Sequence, residues 1–194
     1  MLILRKLVLV NVVLILFYIS GCSSANYATY HKSQDIDFSF IKKLAVMPLK
    51  NLTDENSAGE IVRQLIISEL LASGLVDVEV PGEVLSAVND LGIKSLTTLT
   101  NQQIIAIGKY LKIQAVIIGS VQEYGHVRFG SISAPEVTIS LFMADTGTGD
   151  IIWSVTKTRG GASFMTRHFG AKSDTMSETV LTVVREAIDT LAEY

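Results

Sequence analysis

Few residues in this chain could do chemistry. There is one cysteine, Cys22, and there are three histidines, His31, His126 and His168. With one cysteine there is no internal disulfide and no cysteine zinc site. His126 and His168 could approach one another beside Glu123 or Asp174, but no H-x-x-x-H or similar ligand spacing occurs, so no metal site is assigned. Gly170-Ala171-Lys172-Ser173 lacks the upstream glycine spacing of a phosphate loop, and there is no G-x-S-x-G nucleophile elbow. Glu69, Glu83, Asp90 and Glu186 fall at polar helical positions and read as solvated faces. The expectation is a non-enzyme with no cofactor.

The chemistry that remains is at Cys22. Arg5 and Lys6 precede a run from Leu7 to Ile19 that is apolar except for Asn11. That is the basic and apolar layout of a secretory signal, shorter than the roughly 20 residues a membrane-crossing helix needs. It ends in Ile19-Ser20-Gly21-Cys22, which resembles the lipobox of bacterial lipoproteins. The resemblance implies cleavage before Cys22 and a thioether-linked glyceryl group carrying acyl chains such as palmitate. An ordinary signal peptide or uncleaved anchor with a chance cysteine is the alternative. Ser23, by resemblance to enterobacterial sorting, implies an outer-membrane protein facing the periplasm.

The first 21 residues hold two of the 16 basic residues and none of the 19 acidic ones, so the remainder carries a formal charge of −5. That excludes the basic footprint of a nucleic-acid partner. The expected organisation is a signal peptide over 1–21, a lipidated N-terminus and tether over 22–40, and one α/β domain over 41–194. Residues 23–37 show no apolar periodicity and read as a tether reaching at most about 50 Å.

Within the domain, Lys43-Leu44-Ala45-Val46-Met47-Pro48 reads as a buried strand stopped by proline. Ser57-Ala58-Gly59-Glu60 and Thr100-Asn101-Gln102-Gln103 have capping-box spacing. The first predicts a helix with Ile61, Val62, Leu65, Ile66 and Leu70 on one face, ended by Ser73-Gly74. The second predicts one carrying Ile104, Ile105, Ile107 and Leu111. Between them, residues 75–80 alternate as a strand, and a short helix carries Val84, Leu85 and Val88.

Gln114 to Val121 reads as a central strand buried on both faces, and Glu136 to Met143 alternates as a strand with one wet face. Asp145-Thr146-Gly147-Thr148-Gly149-Asp150 is a tight turn into the strand at Ile151 to Val155. A last helix from about Asp174 to Ala192 has a stripe of Met176, Val180, Val183, Val184, Ala187, Ile188 and Leu191. The order β-α-β-α-α-β-β-β-α predicts a mixed parallel/antiparallel sheet with helices packed on it.

Three stretches carry a resemblance. Leu44-Ala45-Val46-Met47-Pro48-Leu49-Lys50-Asn51 resembles the opening strand of the curli-secretion (CsgG-like) lipoproteins. Gly108 to Val121 resembles their helix-to-strand passage, without the family's aspartate after Ala115. Leu141 to Trp153 resembles their D-x-x-T-G-D hairpin. The resemblance implies the α/β fold shared with penicillin-binding-protein activators (LpoB-like) and with the N-terminal domain of TolB. It also implies an envelope protein that binds other proteins or itself.

A curli-type pore would need two membrane-spanning hairpins, at 125–135 and 157–173. Both segments fall short of the roughly twenty residues a hairpin requires. Lys157, Arg159, Arg167, His168 and Lys172 also spoil a lipid-facing stripe. Strand directions put both segments at one end of the sheet, where they offer His126, Arg128, Phe129, Phe164, Met165, Arg167, His168 and Phe169. Aromatic residues, methionine and arginine are enriched at interfaces, so this end is the candidate partner-binding or self-association face. The alternative is that the phenylalanines fold back as loop anchors.

Overall fold

The computed structural model describes residues 29–32, 38–95, 98–130, 132–161 and 174–192; residues 29–32, 129 and 132 are described by backbone alone. The strands are β1 (Thr29–Lys32), β2 (Lys43–Val46), β3 (Lys50–Asn51), β4 (Asp77–Val78), β5 (Ala115–Phe129), β6 (Ile132–Asp145) and β7 (Ile151–Gly160). The helices are α1 (Ala58–Ser73), α2 (Pro81–Asp90), α3 (Asn101–Leu111) and α4 (Met176–Ala192).

The strands form one sheet in the order β1-β7-β6-β5-β2-β4, with β3 also on β5. β2 is parallel to β4 and β5, and β3 is parallel to β5. β5, β6, β7 and β1 are successively antiparallel. The expected mixed sheet is what the chain forms. The carboxyl ends of β2, β5 and β7 mark its upper end.

Alternation along the strands divides the core. Leu44, Val46, Ile117, Leu141 and Trp153 pack with Val62, Ile66 and Val184 from α1 and α4. Ala45, Met47 and Val116 pack on the other face with Val84, Val88, Ile104 and Ile107 from α2 and α3. This is why β2 and the lower part of β5 read as unbroken apolar runs: both of their faces are covered. Beyond α3, that second face carries hydroxyl pairs across strands, Ser140 with Thr156 at 3.1 Å and Thr138 with Thr158 at 2.9 Å.

Local signals mostly act as expected. Gly74 takes φ 66° to close α1. Thr100 and Gln103 cap α3 reciprocally. Thr175 and Glu178 exchange bonds at the start of α4. Ser57 is a correction: its side chain caps nothing, and Glu55 Oε1 instead accepts from the Ser57 amide and hydroxyl, at 3.2 and 2.6 Å. The strand expected over 75–80 shortens to β4, and Leu85 is exposed.

The tether expected over 22–40 also needs correcting. Residues 29–32 pair with β7, Thr29 opposite Thr156 and Lys32 opposite Trp153. Phe38 is buried in the core. No described helix is long and apolar enough to cross a membrane.

Candidate functional site

The segment 125–135, expected as a loop, is strand. β5 and β6 stay paired to Phe129 and Ile132, with only Gly130 and Ser131 between them. On β5 the polar residues Glu123, His126 and Arg128 are exposed and mask the strand period, although Ala134 and Pro135 on the partner strand β6 are buried. A register shift between Val121 and Glu123 marks a bulge at the base of this arm. Bulges bend a strand and terminate pairing on its far side.

Pairing does stop there. β3 meets β5 only at Ser120 and Val121, and the Leu52 amide makes the last rung to the Val121 carbonyl at 2.9 Å. Among the described residues, β5 beyond Val121 pairs with β6 alone. On the other flank β7 runs to Gly160, opposite Glu136, and the Gly161 amide donates to the Pro135 carbonyl. The outermost residues of the arm are therefore two-stranded.

Register divides the expected interface residues. His126 opposes Pro135 and Arg128 opposes Ser133, which puts both on the face that Tyr124 and Val137 share with α4. Phe129, opposite Ile132, belongs to the other face by alternation. Glu123, opposite Thr138, also lies on that other face, away from His126. Among the described residues, no three histidine, cysteine, aspartate or glutamate side chains gather as a metal site. Phe164, Met165, Arg167, His168 and Phe169 lie outside the described residues, as do Ile19, Ser20, Gly21 and Cys22. The segment that holds Phe164 to Phe169 leaves β7 beside Pro135, at the root of the arm.

At that root is a polar cleft of about 290 Å³. Its floor is β5 from Gln122 to Val127 and its wall is Leu52, Thr53 and Asp54. Asp54, Glu123 and Glu136 make it acidic; no lysine or arginine lines it among the described residues. Burial raises the pKa of the Tyr124 hydroxyl, and the Glu55 charge adds to that. An apolar cavity of about 360 Å³ lies at the opposite end, among Phe38, Ile41, Leu44, Leu70, Met143 and Leu191.

Three of the four acids read as solvated are tied into the fold, while Glu83 is exposed. Arg185 donates to both oxygens of Glu69 at 3.0 and 3.2 Å, joining α4 to α1. Glu186 meets Lys157 at 3.7 Å and Arg159 at 3.4 Å. Asp90 accepts from the Tyr110 hydroxyl, joining α2 to α3. The residues behind the family resemblance are likewise packing devices. A Cβ on Gly108 would stand 2.2 Å from Thr146 Cβ, and one on Gly119 would stand 2.3 Å from the Ser140 carbonyl. The buried Trp153 indole donates to Thr190 Oγ1 at 3.1 Å.

No protein-family model matches this chain, and a search of curated proteins found no match. Solved structures do match. The PelC dodecamer from Paraburkholderia phytofirmans is 18% identical at TM-score 0.57, covering 84% of this chain and 96% of that one. Lipoprotein GNA1162 from Neisseria meningitidis is 16% identical at TM-score 0.54, covering 79% and 99%. The LpoB C-terminal domain from Salmonella enterica is 20% identical over 60% of this chain and 81% of that one, at TM-score 0.46, too loose a likeness to carry an argument. At these identities the shared feature is the fold: an α/β sheet with helices packed on it, as in PelC and lipoprotein GNA1162.

Proposed function

We propose that this chain is a lipoprotein of the bacterial envelope, anchored through Cys22 after cleavage at Ile19-Ser20-Gly21, whose domain binds another envelope protein and catalyses nothing. It sits at the outer membrane and faces the periplasm. Its work is that of an accessory or scaffold in envelope assembly, secretion or peptidoglycan synthesis. The observation that carries this reading is the β5–β6 arm. Above Val121 its β5 flank is unpaired among the described residues and leaves His126 and Arg128 exposed, while Ala134 and Pro135 on β6 are buried. Such surface is retained for contact. Phe129 and the segment with Phe164, Met165, Arg167, His168 and Phe169 belong to the same contact region. The acidic balance of the mature chain disfavours nucleic acid as the partner.

A second reading has one observation in its favour. PelC was solved as a dodecamer, and this chain covers 96% of it. On that reading the chain is a ring-forming subunit of a secretion apparatus, the role the curli-secretion resemblance implies, and the arm is a contact between copies.

The test is native mass spectrometry of the acylated protein, extracted from membranes in mild detergent at its natural level. A complex with one different envelope protein is expected and identifies the partner. A ring of identical copies would replace the accessory reading with the second. Cys22→Ser should release the domain from the membrane fraction; retention of that variant would remove the lipid anchor from the account.

A further inference from the structure

The arm has an edge whose backbone is free, and the direction of that edge follows from Pro135. The Pro135 carbonyl accepts from the Gly161 amide, so it points toward β7 and away from β5. The Pro135–His126 pair is therefore one of the non-hydrogen-bonded pairs of the β5–β6 ladder. In such a pair the His126 amide and carbonyl point outward, to the flank that β3 has left. Alternation gives Tyr124 and Arg128 the same direction. Among the described residues, no backbone partner meets these three residues on that flank.

The cleft runs along this edge. Its floor is the same stretch of β5, in line with β3 below, and its wall is the chain after β3 has peeled away. A Cβ placed on Gly125, in the middle of the floor, would meet nothing within 4 Å. Glycine within a strand often marks the close approach of another backbone. An open edge is a template for one more strand, and its side-chain surroundings select which strand. Here Asp54, Glu123 and Glu136 surround it.

We propose that the β5 edge from Tyr124 to Arg128 binds an extended basic segment of a partner protein by strand addition, continuing the line of β3. The main chain supplies the hydrogen bonds and the carboxylates of the cleft favour lysine or arginine in the segment. The inference rests on the protein-binding reading above and gives that partner a chemistry.

The experiment uses the full acylated chain in detergent micelles. The probe is a short peptide of alternating lysine and valine, compared with its glutamate–valine counterpart. The basic peptide should bind saturably, more weakly at higher salt, and slow hydrogen exchange at the Tyr124, His126 and Arg128 amides. His126→Pro removes an edge donor and leaves the β6 ladder intact, and proline is tolerated at such edges. It should weaken binding by about tenfold or more, and by more than His126→Ala, which keeps the amide donor. Arg128→Pro, nearer the tip, is an independent variant, and circular dichroism checks that both fold. Equal binding of the acidic peptide, unchanged affinity in both proline variants, protection elsewhere, or self-association through this edge would overturn the proposal. A natural partner still captured by His126→Pro would sink strand addition and leave the protein-binding reading standing.

Discussion

Glu79 is a residue whose environment predicts how the fold answers to acid. It follows β4 and meets the Lys43 ammonium at 2.8 Å, where β4 lies against β2. Burial works against its charge, but the Lys43 hydrogen bond, the Val80 amide and the Lys43 charge outweigh burial and hold its pKa below the ordinary carboxylate value. A carboxylate depressed in the folded state adds stability that is fully present above its unfolded pKa, about 4.3, and is lost as pH falls through the folded value. Glu79→Gln should cost about 1 kcal/mol near neutrality in urea unfolding, between the values for exposed and buried charged pairs. The cost should shrink toward zero below about pH 3. A cost that stayed constant over that range would mean the loss is one of packing. Nothing in the sequence marked this pair, because Lys43 and Glu79 meet only through the parallel register of two short strands.

Between elements, one contact that limits substitution is α3 against the β6–β7 turn. Gly108 lets the helix approach Thr146, whose hydroxyl donates to the Ile113 carbonyl at 2.6 Å. Gly108→Ala should destabilise by about 1–3 kcal/mol through overpacking. Gly82→Ala in α2, where an added Cβ meets nothing within 4 Å, should be neutral or gain up to about 1 kcal/mol. Urea midpoints with unchanged slopes would measure both, and equal effects would mean that helix propensity, not this contact, governs.

Elements with a buried stripe were legible because burial imposes a period: α1, α3, α4, β2, lower β5 and β6 all announce themselves. Elements without one were not. β1 lies at the sheet edge, β3 is two residues long, and the β5 strand of the arm is exposed or half-buried beyond Val121. Ser57-x-x-Glu60 has the right spacing for a capping box, but Glu60 accepts from Gln64 at 3.1 Å and Glu55 takes Ser57. The end of the sheet that carries the arm was legible as a place, from strand direction, while the edge unpaired among the described residues needed the register at Pro135.

At the scale of the molecule, the proposed anchoring at Cys22 makes β1 the element that decides which end would face the membrane. It begins beside the middle of β7 and runs down the sheet, so its first residue, Thr29, is on the side of the upper end, where the arm is. The seven residues from Ser23 to Thr29 can span at most about 24 Å, half the span expected for a tether ending at residue 37. Thr29 is level with Thr156 and so with Ser140, and Ile132 lies eight residues above Ser140 along β6. That contour is about 26 Å. With the anchor at Cys22, the arm is as long as the tether, and its tip should touch the bilayer surface. Tryptophan at the tip, Phe129→Trp, should then be quenched by brominated phospholipid in vesicles carrying the acylated protein. Leu75→Trp, at the opposite end and 41% exposed, should not be, and the buried Trp153 gives the same background in both. Quenching at residue 75 alone would invert the molecule on its membrane. Quenching at neither would mean that the domain stands off with its arm turned along the surface, and that a partner approaching the Tyr124–Arg128 edge need not be a membrane protein.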